Sequence, residues 1–278
     1  EFKIGCRHLA RSALFQNTES MSSIKRYWDE PFVFQGETNV VKQTEYQGKP
    51  ALMLERSLFY PEGGGERGDG GHVVFRGETR DVMDTQIDEE GNIFIILSLP
   101  FSVEVTGQII VLHVNEEFRR RQMSQHSGQH LLSRLLHDRY QAVTVSARLG
   151  EQYFSIDLET AGLSAAQLAQ AEEEMNKLIL EDRPIRAWFP SSEELVQLPL
   201  RKQPGAYEHI RVIQVEGFDV TPCGGTHCVR TGQVGLIHIQ AVEKCKQLTR
   251  IIVSAGLDLV RDFREKEDVF QRALALLS

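Results

Sequence analysis

Residues 115–140, NEEFRRRQMSQHSGQHLLSRLLHDRY, decide the fold because the chain changes from strand-like to helix-like character there. Asn115 is a residue type that caps helix N-termini. The apolar side chains that follow recur at helical spacing, at Phe118, Met123, Leu131 and Leu135. This segment therefore predicts one long helix that begins after Asn115 and ends near Tyr140.

Short runs of β-branched and aromatic residues, separated by Gly, Pro, Asn and Asp, fill residues 31–114. Such runs predict strands, and their spacing favours a small barrel. The predicted strands are residues 32–34, 39–41, 51–54, 72–75, 93–97 and 108–113. We therefore expect a β-barrel-like domain over residues 21–115.

Strand and helix patterns alternate downstream of the long helix. Ser164 can cap a second helix, whose apolar residues lie on one face: Leu168, Ala171, Met175 and Leu178. The remaining predicted elements are strands at 143–146, 153–158, 209–216, 234–239 and 249–254 and a last helix at 257–277. The fold class predicted is α+β: a β-barrel-like domain, a two-layer α/β sandwich at 116–256, and a C-terminal helix at 257–278.

Composition is that of an ordinary globular protein, with 278 residues, 41% hydrophobic, 25% charged and a net charge of -8. Length favours two domains, and the negative charge means that any RNA contact must be local. No apolar run approaches the roughly 20 residues of a membrane helix, so no membrane partner is expected. Residues 1–20 lack clear periodicity and precede Met21, so we interpret them as a leader or tag.

Cysteine usage points to a reducing compartment. Of the four cysteines, Cys6 lies in the leader, and the other three have no framework spacing: Cys223, Cys228 and Cys245. An odd number without such spacing favours metal binding over disulfides. The cytoplasm is the location expected.

Two pairs of metal-binding side chains lie almost a hundred residues apart. His126 and His130 are four residues apart on the predicted helix, so both imidazoles face the same side. Cys223 and His227 flank two glycines, which let the chain bend and bring both side chains to one point. Three imidazoles and a thiolate suit Zn²⁺ better than Mg²⁺ or Ca²⁺. We therefore predict a zinc site in which these four residues are the ligands.

Each of these features also has a simpler interpretation. Two histidines at helical spacing are often a packed pair, and a cysteine near a histidine is often core. A metalloprotease is disfavoured, because Ser127 stands where the HExxH pattern needs its glutamate. The basic run at 119–121 favours a solvated helix face, with phosphate contact beside the metal as the functional alternative.

Four motifs occur together in the chain: QHSGQHLL at 125–132, TVS with LG between 144 and 150, GFDVTPCGGTH at 217–227 and LFYPEGGG at 58–65. These motifs resemble those of the free-standing alanyl-tRNA editing proteins, relatives of the editing domain of alanyl-tRNA synthetase. The resemblance runs from about Met21 to Gly256.

The resemblance implies a trans-editing hydrolase that cleaves the ester joining a wrong amino acid, mainly serine with glycine as a second substrate, to alanine tRNA. It implies zinc bound by, and catalysis at, His126, His130, Cys223 and His227. Two tasks of the ion stay open, activating a water or holding the substrate's amino group. The alternative is a noncatalytic tRNA-binding module with a structural zinc, because four protein ligands close a tetrahedral shell.

Substrate-binding roles are predicted for Ser57, Gly63, Gly64, Gly65, Gly224, Gly225 and Thr226. The three glycines at 63–65 form either a plain turn or a phosphate cradle, and no lysine follows them as in an ATP-binding loop. Three positions depart from the resembled family: Ser57 replaces its usual Thr, Glu66 its usual Gln, and Cys228 a usual aliphatic residue. Orienting a ligand or an imidazole is a candidate role for Glu62, Asp69 and Asp219, with surface solvation favoured for Asp69. Cys228 is expected to be a packed thiol.

Overall fold

A computed structural model of the chain describes residues 23–160, 162–200 and 210–277. The leader predicted at 1–20 and the first residue of the strand predicted at 209–216 lie outside these ranges. The structure combines a closed β-barrel, several antiparallel sheets and a C-terminal helix, so the predicted fold class is confirmed. Among the described residues, no helix is long and apolar enough to cross a bilayer.

The N-terminal part of the chain is a six-stranded barrel in which every neighbouring pair is antiparallel. It is preceded by β1 (Ile24–Lys25) and the short helix α1 (Arg26–Asp29), and β1 pairs in parallel with β4 (Arg56–Ser57). The barrel strands are β2 (Gln35–Tyr46), β3 (Lys49–Leu54), β5 (Gly71–Phe75), β6 (Glu78–Ile87), β7 (Ile93–Leu97) and β8 (Ile109–Val114). Their order around the barrel is β2-β3-β7-β6-β5-β8. Closure leaves no free sheet edge, and aliphatic and aromatic side chains fill the interior.

One strand prediction in this region is wrong, and one strand was not predicted. Residues 32–34 form a turn and a loop, and their aromatic side chains pack against neighbouring cores without joining a sheet. Strand β6 was not predicted, because its sequence ETRDVMDTQI is mostly polar. Only Val82 and Thr85 of β6 are buried, since one face of the strand looks outward.

Helix α2 (Glu116–Tyr140) follows the barrel and carries the first histidine pair, as predicted. The side chain of Asn115 caps it, accepting a hydrogen bond of 3.1 Å from the Phe118 backbone N–H. The helix ends at Tyr140, and the next residue, Gln141, adopts the left-handed conformation. Most of the helix is buried, including Leu131, Leu132 and Leu136, because it lies against strands of the second part of the chain.

The second part of the chain contains two antiparallel sheets around one core. The larger has the order β14-β15-β10-β9, and the smaller has the order β11-β12-β13. The strands are β9 (Val143–Leu149), β10 (Tyr153–Glu159), β11 (Ile185–Trp188), β12 (Val212–Val215), β13 (Asp219–Pro222), β14 (Ile237–Cys245) and β15 (Leu248–Ala255). The helices are α3 (Ala165–Leu180), α4 (Ser192–Gln197) and α5 (Leu257–Leu277). Strand β13 was not predicted. The strand predicted at 234–239 begins later, at Ile237, because Val234 lies in a 3-10 turn (Thr231–Val234).

Helix α5 forms as predicted, but its apolar face is not covered by the described residues. Leu257 and Phe263 are 74% and 65% exposed, whereas Asp258 and Asp262 are buried. Asp262 accepts hydrogen bonds from the Tyr153 hydroxyl and the Gln240 amide, which attach the first turns of the helix to the larger sheet. The buried side of this helix is therefore polar.

Helix α3 has a reciprocal cap that can be tested directly. The Ser164 hydroxyl accepts from the Gln167 backbone N–H at 3.2 Å, and the Gln167 side chain accepts from the Ser164 N–H at 2.9 Å. We expect Ser164→Ala to lower the free energy of unfolding by about 1 kcal/mol in urea titrations. Ser191→Ala is the matched control, because it removes the same type of cap from α4, which has no buried residues. We expect a smaller loss in this control. Equal losses in the free energy of unfolding would contradict the view that the Ser164 cap stabilises the protein because α3 packs in the core.

Candidate metal centre

The four predicted ligands meet at one point. His126 and His130 lie on successive turns of α2, and Cys223 and His227 lie in the loop that follows β13. One donor atom from each of the four lies within 4.8 Å of the others. The Cys223 Sγ is 3.4 Å from His126 Nε2 and 3.3 Å from His227 Nε2. This group, which we call the His/Cys cluster, can hold a metal ion.

Two residues that the sequence did not single out hold the loop of Cys223. The Arg211 guanidinium donates to the carbonyls of Cys223 at 3.2 Å and Gly225 at 2.8 Å. The Trp28 indole N–H donates to the Gly224 carbonyl at 2.7 Å. These contacts span as many as 196 positions in sequence, so no local pattern could have revealed them.

Glu66, which the sequence marks only as a departure from the resembled family, is a further residue at the site. Its carboxylate is 1% exposed and lies 2.8 Å from Nδ1 of His126. It also accepts hydrogen bonds from the backbone N–H, at 2.9 Å, and from the hydroxyl of Thr226. The carboxylate therefore contacts both elements that supply the His/Cys cluster.

The glycine-rich loop at 63–65 forms a tight turn that packs on β9. Gly63 and Glu66 exchange two backbone hydrogen bonds of 3.0 and 2.9 Å, and the Leu149 N–H donates to the Gly65 carbonyl at 2.9 Å. A Cβ at Gly65 would lie 2.5 Å from the Ala147 carbonyl oxygen, and its φ of 89° is left-handed, so glycine is required there. The turn interpretation describes this loop, and its contact with substrate stays a prediction.

The basic run at 119–121 is not a solvated face at its first residue. Arg119 is fully buried, forms an ion pair with Asp69 and donates to the Leu58 carbonyl at 2.7 Å. Asp69 is 2% exposed, so its predicted surface position is wrong. Arg120 and Arg121 instead pair with Glu116 and Glu117 one helical turn earlier. The buried pair ties α2 to the segment that carries the glycine-rich loop.

Charges within the His/Cys cluster favour a thiolate. Burial raises the pKa of the Cys223 thiol, but the three neighbouring imidazoles outweigh it and hold that pKa well below its usual range. Burial lowers the pKa of His126, yet Cys223 and Glu66 together raise it to about 10. Burial and the charge of His126 keep the pKa of His227 well below its usual range. A thiolate among imidazoles is a donor set that fits Zn²⁺.

One side of the His/Cys cluster is buried and the other is partly open. His126 and His227 are 5% and 4% exposed, whereas His130 and Cys223 are half-buried. The Ser127 hydroxyl lies 3.2 Å from His227 Nδ1 and accepts from the Cys228 N–H at 3.0 Å. Among the described residues, His130 and Cys223 are therefore the more accessible members of the His/Cys cluster.

The remaining predicted residues differ in burial and in contacts. Ser57 and Thr226 are both fully buried, and the Ser57 hydroxyl donates to the Phe59 carbonyl at 2.9 Å. Gly224 and Gly225 form the bend between Cys223 and His227, and a Cβ on Gly224 would meet no atom within 4 Å. Cys228 packs in the core, as predicted. The substrate contacts of Ser57, Thr226 and the glycines stay predictions.

Comparison with known proteins gives relatives along most of the chain. Residues 210–252 match the family described as the threonyl and alanyl tRNA synthetase second additional domain. The chain is 31% identical over 243 residues to the alanyl-tRNA editing protein AlaX-L of Pyrococcus horikoshii, which covers 86% of this chain and 59% of that protein. It is 28% identical over 262 residues to the alanine–tRNA ligase of Pyrococcus furiosus, and the match covers 90% of this chain and 28% of that ligase. It is 27% identical over 292 residues to the alanine–tRNA ligase of Korarchaeum cryptofilum, and the match covers 97% of this chain and 32% of that ligase.

The chain thus spans 59% of the length of the first relative and about a third or less of the two ligases. The resemblance predicted from the four sequence motifs is confirmed.

Proposed function

We propose that this chain, a relative of the alanyl-tRNA editing proteins and of alanine–tRNA ligases, is a trans-editing hydrolase that deacylates alanine tRNA carrying serine or glycine. The observation that carries the proposal is the meeting of three imidazoles and one thiol within 4.8 Å. They come from two of the four motifs on which the resemblance depends. The part of the chain at 116–256 is proposed to be the editing domain.

In this proposal, His126, His130, Cys223 and His227 hold a zinc ion. When bound, the ion supplies Lewis-acid chemistry, polarising an ester carbonyl or a water, or holding the amino group of the amino acid. The half-buried side of His130 and Cys223 receives the aminoacyl ester. The bend at Gly224 and Gly225 lies beside the amino acid in this proposal, because neither residue has a side chain that would block it.

Substrate chemistry explains why such an activity is needed. A pocket that accepts alanine cannot strongly reject glycine, which only lacks a methyl group, nor serine, which only adds a hydroxyl. A second site that hydrolyses the wrong esters corrects both errors. Ser57, Thr226 and the glycine-rich loop at 63–65 are proposed to shape that site for the smaller and more polar amino acids.

A noncatalytic tRNA-binding module with a structural zinc is the second candidate. It is favoured by one observation, the presence of four protein donors, because four donors complete a tetrahedral shell. The partial exposure of His130 and Cys223 favours the enzyme.

The test compares alanine tRNA charged with serine, glycine or alanine. We expect the wild type to release serine and glycine and to spare alanine, and we expect a chelator that removes zinc to stop the release. Binding of the tRNA with full zinc content but no release of serine would establish the noncatalytic module instead. Equal release of all three amino acids would contradict the proposed selectivity.

A further inference from the structure

We propose that Glu66 is a positioning residue for the metal: its buried carboxylate fixes the His126 ring and the Cys223–His227 loop, and adds one negative charge beside the ligands. This inference depends on the zinc site proposed above. It goes beyond that site because Glu66 belongs to the barrel part of the chain, whereas all four ligands belong to the second part.

The contacts of the carboxylate support this role. One oxygen, Oε2, lies 2.8 Å from His126 Nδ1 and accepts from the Thr226 N–H at 2.9 Å. The other oxygen, Oε1, accepts from the Thr226 hydroxyl. Helix α2 and the loop that follows β13 are therefore joined through one side chain, which is 1% exposed. Burying a carboxylate costs free energy unless hydrogen bonds such as these replace its contacts with water.

The hydrogen bond between Glu66 and Nδ1 determines which nitrogen of His126 faces the other three residues of the His/Cys cluster. A carboxylate acceptor keeps the proton on Nδ1, which leaves Nε2 free to bind a metal. Nε2 is the nitrogen that lies 3.4 Å from Cys223 Sγ. The same hydrogen bond makes Nε2 a stronger electron-pair donor to a metal ion, because the carboxylate polarises the imidazole ring.

Glu66 is itself held in place from both ends of its loop. It exchanges backbone hydrogen bonds with Gly63, and the neighbouring Gly65 carbonyl is bonded to β9. Three residues further on, Asp69 is anchored by the buried Arg119. Because Arg119 lies on the same helix as His126, the loop and the imidazole are held at a fixed separation.

Two substitutions separate the charge from the hydrogen bonds. In Glu66→Gln the amide oxygen can replace Oε2 and accept from His126 and Thr226, while the NH₂ group donates to the Thr226 hydroxyl. This variant removes the charge and keeps the shape. Glu66→Ala removes both. Glu62→Gln is the matched control, because Glu62 is an exposed carboxylate of the same segment that accepts from the Gln86 amide.

The measurement is the zinc dissociation constant in competition with a chromophoric chelator, without tRNA, together with the visible spectrum of the Co²⁺-loaded protein. We expect zinc affinity to fall about 10-fold in Glu66→Gln and about 100-fold in Glu66→Ala. We expect both cobalt spectra to shift and Glu62→Gln to match the wild type. Thermal unfolding of the metal-free proteins shows that each variant is folded, and Glu66→Gln carries the test should Glu66→Ala fail to fold.

The outcomes distinguish this inference from the proposed function. Wild-type affinity and cobalt spectra in both variants would overturn the positioning role while leaving the zinc site intact. A loss confined to Glu66→Ala would support the hydrogen bonds and overturn the contribution of the charge. A wild type that binds no zinc would refute the metal site itself.

Discussion

Replacing Cys223 with alanine is expected to remove tight zinc binding and to slow serine release from mischarged alanine tRNA by about 100-fold or more. Removing a residue that hydrogen-bonds to a metal ligand typically lowers metal affinity or activity about 10- to 100-fold. Removing the ligand itself should lower them at least as much. Cys223 is the one thiol of the His/Cys cluster, and its Sγ lies within 3.4 Å of two imidazoles. Zinc per chain, the initial rate of serine release and circular dichroism are the measurements.

Cys245→Ala is the control for this substitution. Cys245 is a half-buried thiol at the end of β14 and is not part of the His/Cys cluster. We expect this variant to keep its zinc and its activity. Unchanged serine release by a folded, zinc-free Cys223→Ala protein would contradict a catalytic metal. Simultaneous loss of zinc and of the native circular dichroism spectrum would favour the structural zinc.

Helices were predictable because their signals are local. Asn115 and Ser164 cap α2 and α3 as their residue types predict, and both caps lie within three residues of the N–H groups that they accept from. The spacing of His126 and His130 also follows from the geometry of one helix. A cap or a repeat of 3.6 residues needs no knowledge of the rest of the chain.

The failures have the opposite cause. Strand β6 exposes most of one face, so its buried residues are too few to form an apolar run. The importance of Arg119 and Asp69 depends on a pair separated by 50 positions, and Glu66 meets Thr226 across 160. Glu66 directly follows the glycine-rich motif, but the sequence could not show that the chain folds its carboxylate onto the His/Cys cluster. The meeting of the four side chains of the His/Cys cluster was therefore predictable, whereas the contacts that hold them in place were not.

Gly225→Ala is expected to weaken zinc binding and serine release by about 100-fold or more, since it should displace a ligand and its supporting residue together. A Cβ built on Gly225 would lie inside 3.0 Å of the His126 ring and of the Glu66 carboxylate. The buried ring and carboxylate cannot both move aside without breaking the bond between them. We also expect a loss of about 1–3 kcal/mol in the free energy of unfolding, as for other overpacked sites.

Gly224→Ala is the matched control, because it adds the same methyl group one residue earlier, where no atom lies within 4 Å. Neither glycine has a left-handed φ, so the two substitutions differ in the space available and not in backbone strain. Zinc affinity and unfolding by urea should therefore be nearly those of the wild type in Gly224→Ala and strongly reduced in Gly225→Ala. Equal zinc affinities in the two variants would show that the close approach of Gly225 to His126 does not hold this ligand in place.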